Sequence, residues 1–159
     1  MRLPITLAFA ILATPVYAAD PLELNLYGFS HHWNRAEAQS LNTTHEFNPG
    51  LGLRYALEPS KWCGTPFTEG GIYRDSGANT SYYAALGCKG LQLSDHIRLG
   101  LGVAVMQSDT YNHGNPFVAP VPLLTWQISD VTVNFIQYLR VKSLGIINTT
   151  GVYFSVPLP

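Results

Sequence analysis

The sequence predicts an all-β fold, an eight-stranded antiparallel transmembrane β-barrel of the outer-membrane type. Three observations point there. The chain divides into eight strand-like segments, roughly 22–32, 47–57, 65–75, 80–89, 95–106, 116–127, 130–140 and 147–157. Lengths of about 10 residues suit tilted membrane-crossing strands, whereas globular strands are nearer 5 or 6. Within these segments bulky apolar residues alternate with small or mildly polar ones. Finally, only 12% of the residues are charged, about half the usual share of roughly 25%, so material for a charged coat is scarce.

Residues 1–18 read as a secretory signal peptide. Arg2 gives a positive start, Leu7 to Ala13 an apolar run, and Val16-Tyr17-Ala18 a small-residue cleavage site. That run is too short to span a membrane as a helix. Cleavage after Ala18 leaves residues 19–159, the length of a single domain. The remaining chain has no helical stripe of useful length, no linker and no run of ~18 apolar residues. A net charge of −1 provides no electrostatic footprint for nucleic acid.

In the second segment Leu51, Leu53, Tyr55 and Leu57 oppose Gly50, Gly52, Arg54 and Ala56. The third and fourth segments form a hairpin with Arg74-Asp75-Ser76-Gly77 at its tip. Cys63 and Cys88 bracket that tip and fall roughly opposite each other if the chain turns near Gly77. A cross-hairpin disulfide fits a secreted chain; two free buried thiols are the alternative. The fifth segment sets Ile97, Leu99, Leu101, Val103 and Val105 against Arg98, Gly100, Gly102, Ala104 and Met106. Pro120 and Pro122 interrupt the sixth, and Pro49 stands at the start of the second. Proline cannot donate to a ladder and is confined to strand ends, edges or bulges, so the two prolines within the sixth segment imply local loss of pairing to a neighbour. The result is either a seam that admits a lipid sideways or a bulge without function. A tight Ser129-Asp130 turn leads to the seventh segment. In the last, Val152, Phe154 and Val156 oppose Gly151, Tyr153 and Ser155.

In a transmembrane barrel the bulky set faces lipid and the small set faces the lumen. Eight strands leave a lumen that side chains fill, or that holds one small ligand. Small lumen residues imply an apolar cavity of acyl-chain width; a lumen plugged by Tyr, Trp and Met is the alternative. A soluble lipocalin-like carrier is disfavoured by the nearly uncharged second face. The outward connections are about 33–46, 76–79, 107–115 and 141–146, the first being the longest. His32, Asp75 and Ser76 then lie together at the outer ends of the first and third segments.

With those placements the chain resembles the lipid A palmitoyltransferase (PagP) family of eight-stranded outer-membrane enzymes. The likeness rests on "IRLGLGVAVMQSDTYN…PFVAPVPLLTW", "SHHWNR", "YRDS" and "GVYFSV", which together cover most of the chain after residue 18, thinly. It implies transfer of a palmitoyl chain from the sn-1 position of a phospholipid to a hydroxyacyl chain of lipid A. The family's histidine carries over to His32, with His31 in reserve, and its Asp-Ser pair to Asp75 and Ser76. A glycine at the floor of the acyl pocket carries over to Gly87. Proline-weakened lateral gates correspond to Pro49 and to Pro120 and Pro122. Departures are an absent amphipathic helix before the first strand, no proline in "FIQYLRV", and Pro157-Leu158-Pro159 in place of a terminal aromatic residue.

Ester exchange needs a base near the hydroxyl and a partner for the oxyanion. His32 serves as the base, Asp75 orients it, and Ser76 donates to the oxyanion or acts as nucleophile. Neighbours on a strand point to opposite faces, so Asp75 and Ser76 converge only if the strand has ended before them, which Gly77 permits. Plain turn chemistry is the alternative, since Asp, Ser, Gly and Asn are turn formers. His45, His96 and His113 show no metal-ligand spacing, and neither metal nor cofactor is expected. Arg35, Arg54 and Arg74 are candidates for lipid phosphates. The expectation is a monomeric acyltransferase in a bacterial outer membrane, with a phospholipid donor and a lipid A acceptor. Its rivals are a non-enzymatic lipid-binding or structural barrel and a lipid A deacylase, the latter without its His-x-Ser signature here.

Overall fold

The computed structural model describes residues 21–158; the signal peptide lies outside the described residues. Eight strands form one closed antiparallel barrel in sequence order. They are β1 (Leu22–His32), β2 (Phe47–Ala56), β3 (Thr65–Arg74), β4 (Thr80–Gln92), β5 (Ile97–Gln107), β6 (Phe117–Ile128), β7 (Val131–Tyr138) and β8 (Thr149–Pro157). The period-2 pattern locates them within a few residues of expectation. β1 closes the barrel against β8, with Leu26 opposite Phe154. The end carrying His32 is termed the outer end.

The two faces divide as the alternation requires. Leu51, Leu53, Leu86, Leu101, Val103, Val105 and Val118 are exposed on the outside, in a belt of large apolar residues. Their neighbours Ala104, Met106, Ala119, Leu123 and Tyr153 are buried in the lumen. Aromatic residues mark both ends of the belt: Phe29, Trp33 and Phe47 at the outer end, Trp62 and Trp126 at the inner.

The lumen face that the sequence reads as nearly uncharged carries a fully buried charge. At the inner end Arg54, with no exposed surface, donates to Glu69 at 2.9 Å and to Glu23, Asn134 and Ser155 at 3.2–3.3 Å. Its guanidinium also lies 4.6 Å from the Phe67 ring centre. Arg54 is therefore an internal plug, not a phosphate-binding surface residue. A buried charge is tolerated only when paired and bonded in this way. Sequence pattern marks Arg54 as inward, but only the closed barrel gathers Glu23 from β1 and Asn134 and Ser155 from the far wall.

Cys63 and Cys88 are joined, with Cα atoms 5.3 Å apart, inside the range a disulfide requires. Cys63 precedes β3, and Cys88 lies opposite Pro66. The bridge thus fastens the inner base of the β3–β4 hairpin, far from its outer tip.

Two ladders are irregular where proline stands. Between Tyr27↔Gly50 and Phe29↔Phe47, β2 supplies Asn48 and Pro49 against the single Gly28. On its other side β1 has Gly28 as the extra residue relative to β8. Such insertions are β-bulges. β6 pairs with β5 through Phe117–Trp126 but with β7 only from Leu123 inward. Phe117–Pro122 thus have no partner on the β7 side, although β7 contains no proline.

Candidate active site

The bulge at Gly28 decides which histidine faces inward. Asn25 and Tyr27 point to the lumen; after the inserted residue, Ser30 and His32 do so, while Phe29 and His31 turn outward. His32 is 3% exposed, and the His31 side chain is half exposed and packs edge-on to Trp33. The structure brings His32, not His31, to the lumen side.

β3 ends at Arg74, so Asp75 and Ser76 are free of strand alternation, and both are buried, at 1% and 4% exposed. Gly77 is not the residue that adopts the left-handed backbone there. Ala78 does, with φ 65°. Gly77 is needed for space: a Cβ on it would lie 2.4 Å from Thr110 Oγ1. Asp75 organises the turn. Its carboxylate accepts from the N–H groups of Gly77 at 2.9 Å and Asn79 at 3.0 Å, as an Asx-turn does. It also accepts from the hydroxyls of Ser81 at 2.9 Å, Thr110 at 2.8 Å and Ser108.

His32 is not among those donors. The carboxylate that faces it is Glu46, in the first outer loop, with Oε1 3.7 Å from His32 Nδ1. Glu46 also accepts from the His32 backbone N–H at 3.3 Å and from Arg35 at 3.1 Å. Partial burial pushes the Glu46 carboxyl up, but the His32 N–H and the Arg35 guanidinium outweigh it and hold it below its ordinary value. Asp75 as the orienting group for His32 is thus replaced in the geometry by Glu46. The register of the β1–β2 hairpin, which bonds Ser30 N–H to Glu46 O at 2.9 Å, is the signal that places it.

Ser76 meets the His32 strand through Ser30, their Oγ atoms 3.4 Å apart. Its carbonyl accepts from His45 N–H at 3.1 Å, which straps the first outer loop over the turn. That loop contains a short helix, α1 (Arg35–Ser40), capped by the Asn34 side chain on Glu37 N–H at 3.1 Å. Glu37 in turn accepts from Arg140 of the β7–β8 loop at 2.6 Å. The loops form a roof.

Beneath this roof a cavity of about 90 Å³ runs into the lumen. Ser30, Asn48, Asp75 and Ser76 edge it above, Met106, Phe117, Val121 and Ile136 line its body, and Tyr111, Ile146 and Ile147 lie over it. Tyr27, Tyr73, Tyr83 and Tyr138 take up much of the remaining lumen. Both sequence alternatives are met in part, a cavity and a tyrosine plug. The volume is below the ~150 Å³ of an engineered apolar cavity that accepts benzene, so a long chain enters only if tyrosine rings swing aside.

Gly87 faces the lumen opposite Phe67. A Cβ there would sit 2.3 Å from the Phe67 ring, so the glycine makes room for the ring. Phe67, backed by Arg54, forms the floor of the cavity. Pro49 lies at the β1–β2 irregularity, and Pro120 and Pro122 on the stretch of β6 without a β7 partner. Among the described residues no group of three or more His, Cys, Asp or Glu side chains is placed to hold a metal ion.

No protein-family model matches this chain, and no curated protein matches it.

Proposed function

We propose that this protein is an outer-membrane acyltransferase that moves a palmitoyl chain from a phospholipid to lipid A. The observation that carries the reading is the junction of an apolar lumen cavity with a polar lip on which Ser76 meets the strand of His32. The exposed apolar belt with aromatic residues at both ends supports a membrane-spanning position. The unpaired edge of β6 beside Pro120 and Pro122, and the β1–β2 irregularity at Pro49, supply two sideways paths from bilayer to lumen.

In this reading the donor's acyl chain lies in the cavity with its ester carbonyl at the lip. His32 takes the proton of the acceptor hydroxyl as its oxygen attacks that carbonyl. The hydroxyl of Ser76 donates to the oxyanion of the tetrahedral intermediate. The sn-1 C–O bond then breaks, and the proton held on His32 passes to the departing lysophospholipid oxygen. Glu46 orients the imidazole and balances its transient positive charge. Asp75 shapes the turn that presents Ser76.

A second reading is a non-enzymatic lipid-binding or structural barrel. The saturated Asp75 carboxylate and the small cavity favour it. Purified protein in vesicles holding lipid A and a phospholipid labelled on its sn-1 chain separates the two. Label appearing in lipid A supports transfer; label retained in phospholipid by the folded protein supports the binding barrel.

A further inference from the structure

We infer that the hydroxyl of Tyr111 is a second oxyanion donor, standing with Ser76 at the lip of the lumen cavity. This rests on the reading of that lip as the site of acyl transfer and adds a catalytic residue to it.

An oxyanion is stabilised by preorganised donors aimed at one point, and most donors at this lip are already committed. The N–H groups of Gly77 and Asn79 and the hydroxyls of Ser81, Ser108 and Thr110 all go to the Asp75 carboxylate. The His45 N–H goes to the Ser76 carbonyl, and Asn48 Nδ2 approaches the His45 carbonyl. Lower in the lumen Tyr27 and Tyr83 are bonded to each other. The phenol of Tyr111 is committed to none of these acceptors.

Two connections bring Tyr111 to Ser76. Ser108 and Thr110, in the loop after β5, both bond Asp75, the residue before Ser76. Tyr111 follows Thr110 directly, and its own N–H donates to Ser108 O at 3.3 Å, which closes a turn above the cavity. Its ring packs edge-on to Phe117 with centroids 6.3 Å apart, and both rings line the cavity along with Ser76. Asp75 is thus a clamp that fastens the loop carrying Tyr111 to the turn carrying Ser76.

The phenol is kept in its donating form. Burial pushes Tyr111 above its ordinary value, Tyr73 and Asp75 act in the same sense, and a hydrogen bond with Ser76 offsets only part of this. That bond also sets the two hydroxyls side by side. As the acceptor oxygen attacks the ester carbonyl, the π pair moves onto the carbonyl oxygen, and the O–H groups of Ser76 and Tyr111 donate to it. No proton leaves the phenol. When the pair returns, the sn-1 C–O bond breaks. Because that charge is absent from the bound ester, Tyr111 contributes to kcat and not to donor binding.

The test is Tyr111→Phe, which keeps the ring against Phe117 and removes only the hydroxyl. In vesicles holding lipid A and sn-1-labelled phospholipid, its kcat should fall about 10²- to 10³-fold with KM for the phospholipid unchanged. A second measurement is native mass spectrometry of the full chain in detergent, titrated with monomethyl hexadecylphosphonate, a tetrahedral anion, or with methyl palmitate. Wild type should retain the phosphonate more strongly, and Tyr111→Phe should lose about 10-fold of that preference, the range of one hydrogen bond to a charged group. Tyr111→Leu gives the same readouts if the phenylalanine form does not fold. Transfer by the wild type with kcat unchanged in the variants, or a loss confined to KM, overturns this role of Tyr111 alone. A phosphonate preference equal in wild type and variants overturns it as well. A preference that needs the hydroxyl, without transfer by the wild type, removes the acyltransferase reading and leaves Tyr111 as a donor to bound anions.

Discussion

Glu46 Oε1 lies 3.7 Å from His32 Nδ1, although the two residues stand 14 positions apart and Glu46 belongs to no strand. The β1–β2 hairpin brings them together, and Arg35 holds the carboxylate from its other side. The same Oε1 lies 3.7 Å from His31 Nδ1, and in the proposed mechanism Glu46 acts as a positioning residue for His32. Replacing it with Gln should lower acyl transfer by about 10- to 100-fold, a part of the roughly 10²- to 10⁴-fold that a positioned general base contributes, with the protein still folding. Assay of vesicle-reconstituted protein checks this; unchanged transfer would show that Glu46 does not position His32.

The same carboxylate makes a pH-dependent contribution to stability. Its folded pKa is held below the ordinary 4.5. A depressed carboxyl stabilises the fold above the unfolded value and loses that contribution as pH falls through the folded one. Urea titrations of wild type and Glu46→Gln should therefore differ at pH 7 and converge as the pH falls through the lowered folded value. A gap that widens on acidification would contradict the sign.

The turn that presents Ser76 holds Ala78 at φ 65°, a region costing a residue with a Cβ about 1–2 kcal/mol. Ala78→Gly relieves this and should stabilise the barrel by about 0.5–1 kcal/mol after the added chain entropy is counted. Gly77→Ala should do the reverse, driving a methyl into Thr110. Paired denaturation curves read both, and equal midpoints for the two variants would refute the roles assigned to these neighbours.

Much of the barrel was legible because strand alternation is a local property. The seven residues from Leu99 to Val105 disclose lumen and outside without reference to any partner. What depends on closure was hidden. Arg54 reads as one mild exception on a small-residue face, and only the ring of strands reveals Glu23, Glu69, Asn134 and Ser155 around it. The inward choice between His31 and His32 turns on the insertion at Gly28, a register effect that no single-strand pattern carries. Asp75 and Ser76 were placed correctly at the strand end, but the five donors on Asp75 come partly from β4 and from the loop after β5. The helix α1 is too short to show a stripe; Asn34 with Glu37 three residues later is the cap signal it leaves in the sequence.

Arg54 offers a stringent test of the internal plug. Arg54→Leu leaves Glu23 and Glu69 without their shared cation, and breaking a buried pair on one side costs about 3–5 kcal/mol. Arg54→Leu combined with Glu69→Gln should recover part of that loss. Thermal unfolding in detergent measures both, and a single variant as stable as wild type would show that the plug contributes little.

Gly87→Met probes the cavity floor. The new side chain must displace the Phe67 ring, shortening the space above it. Transferred chains should become shorter by several carbons while transfer itself persists. Identical chain lengths would place the floor elsewhere.

In the proposed function, transfer of an acyl chain to lipid A depends on His32. Mass spectrometry of lipid A from cells producing the wild-type chain or His32→Ala at matched levels in the membrane tests it directly. The wild type should give a palmitoyl-sized mass gain and His32→Ala none. No gain with well-folded wild type, or an equal gain with both, would contradict it.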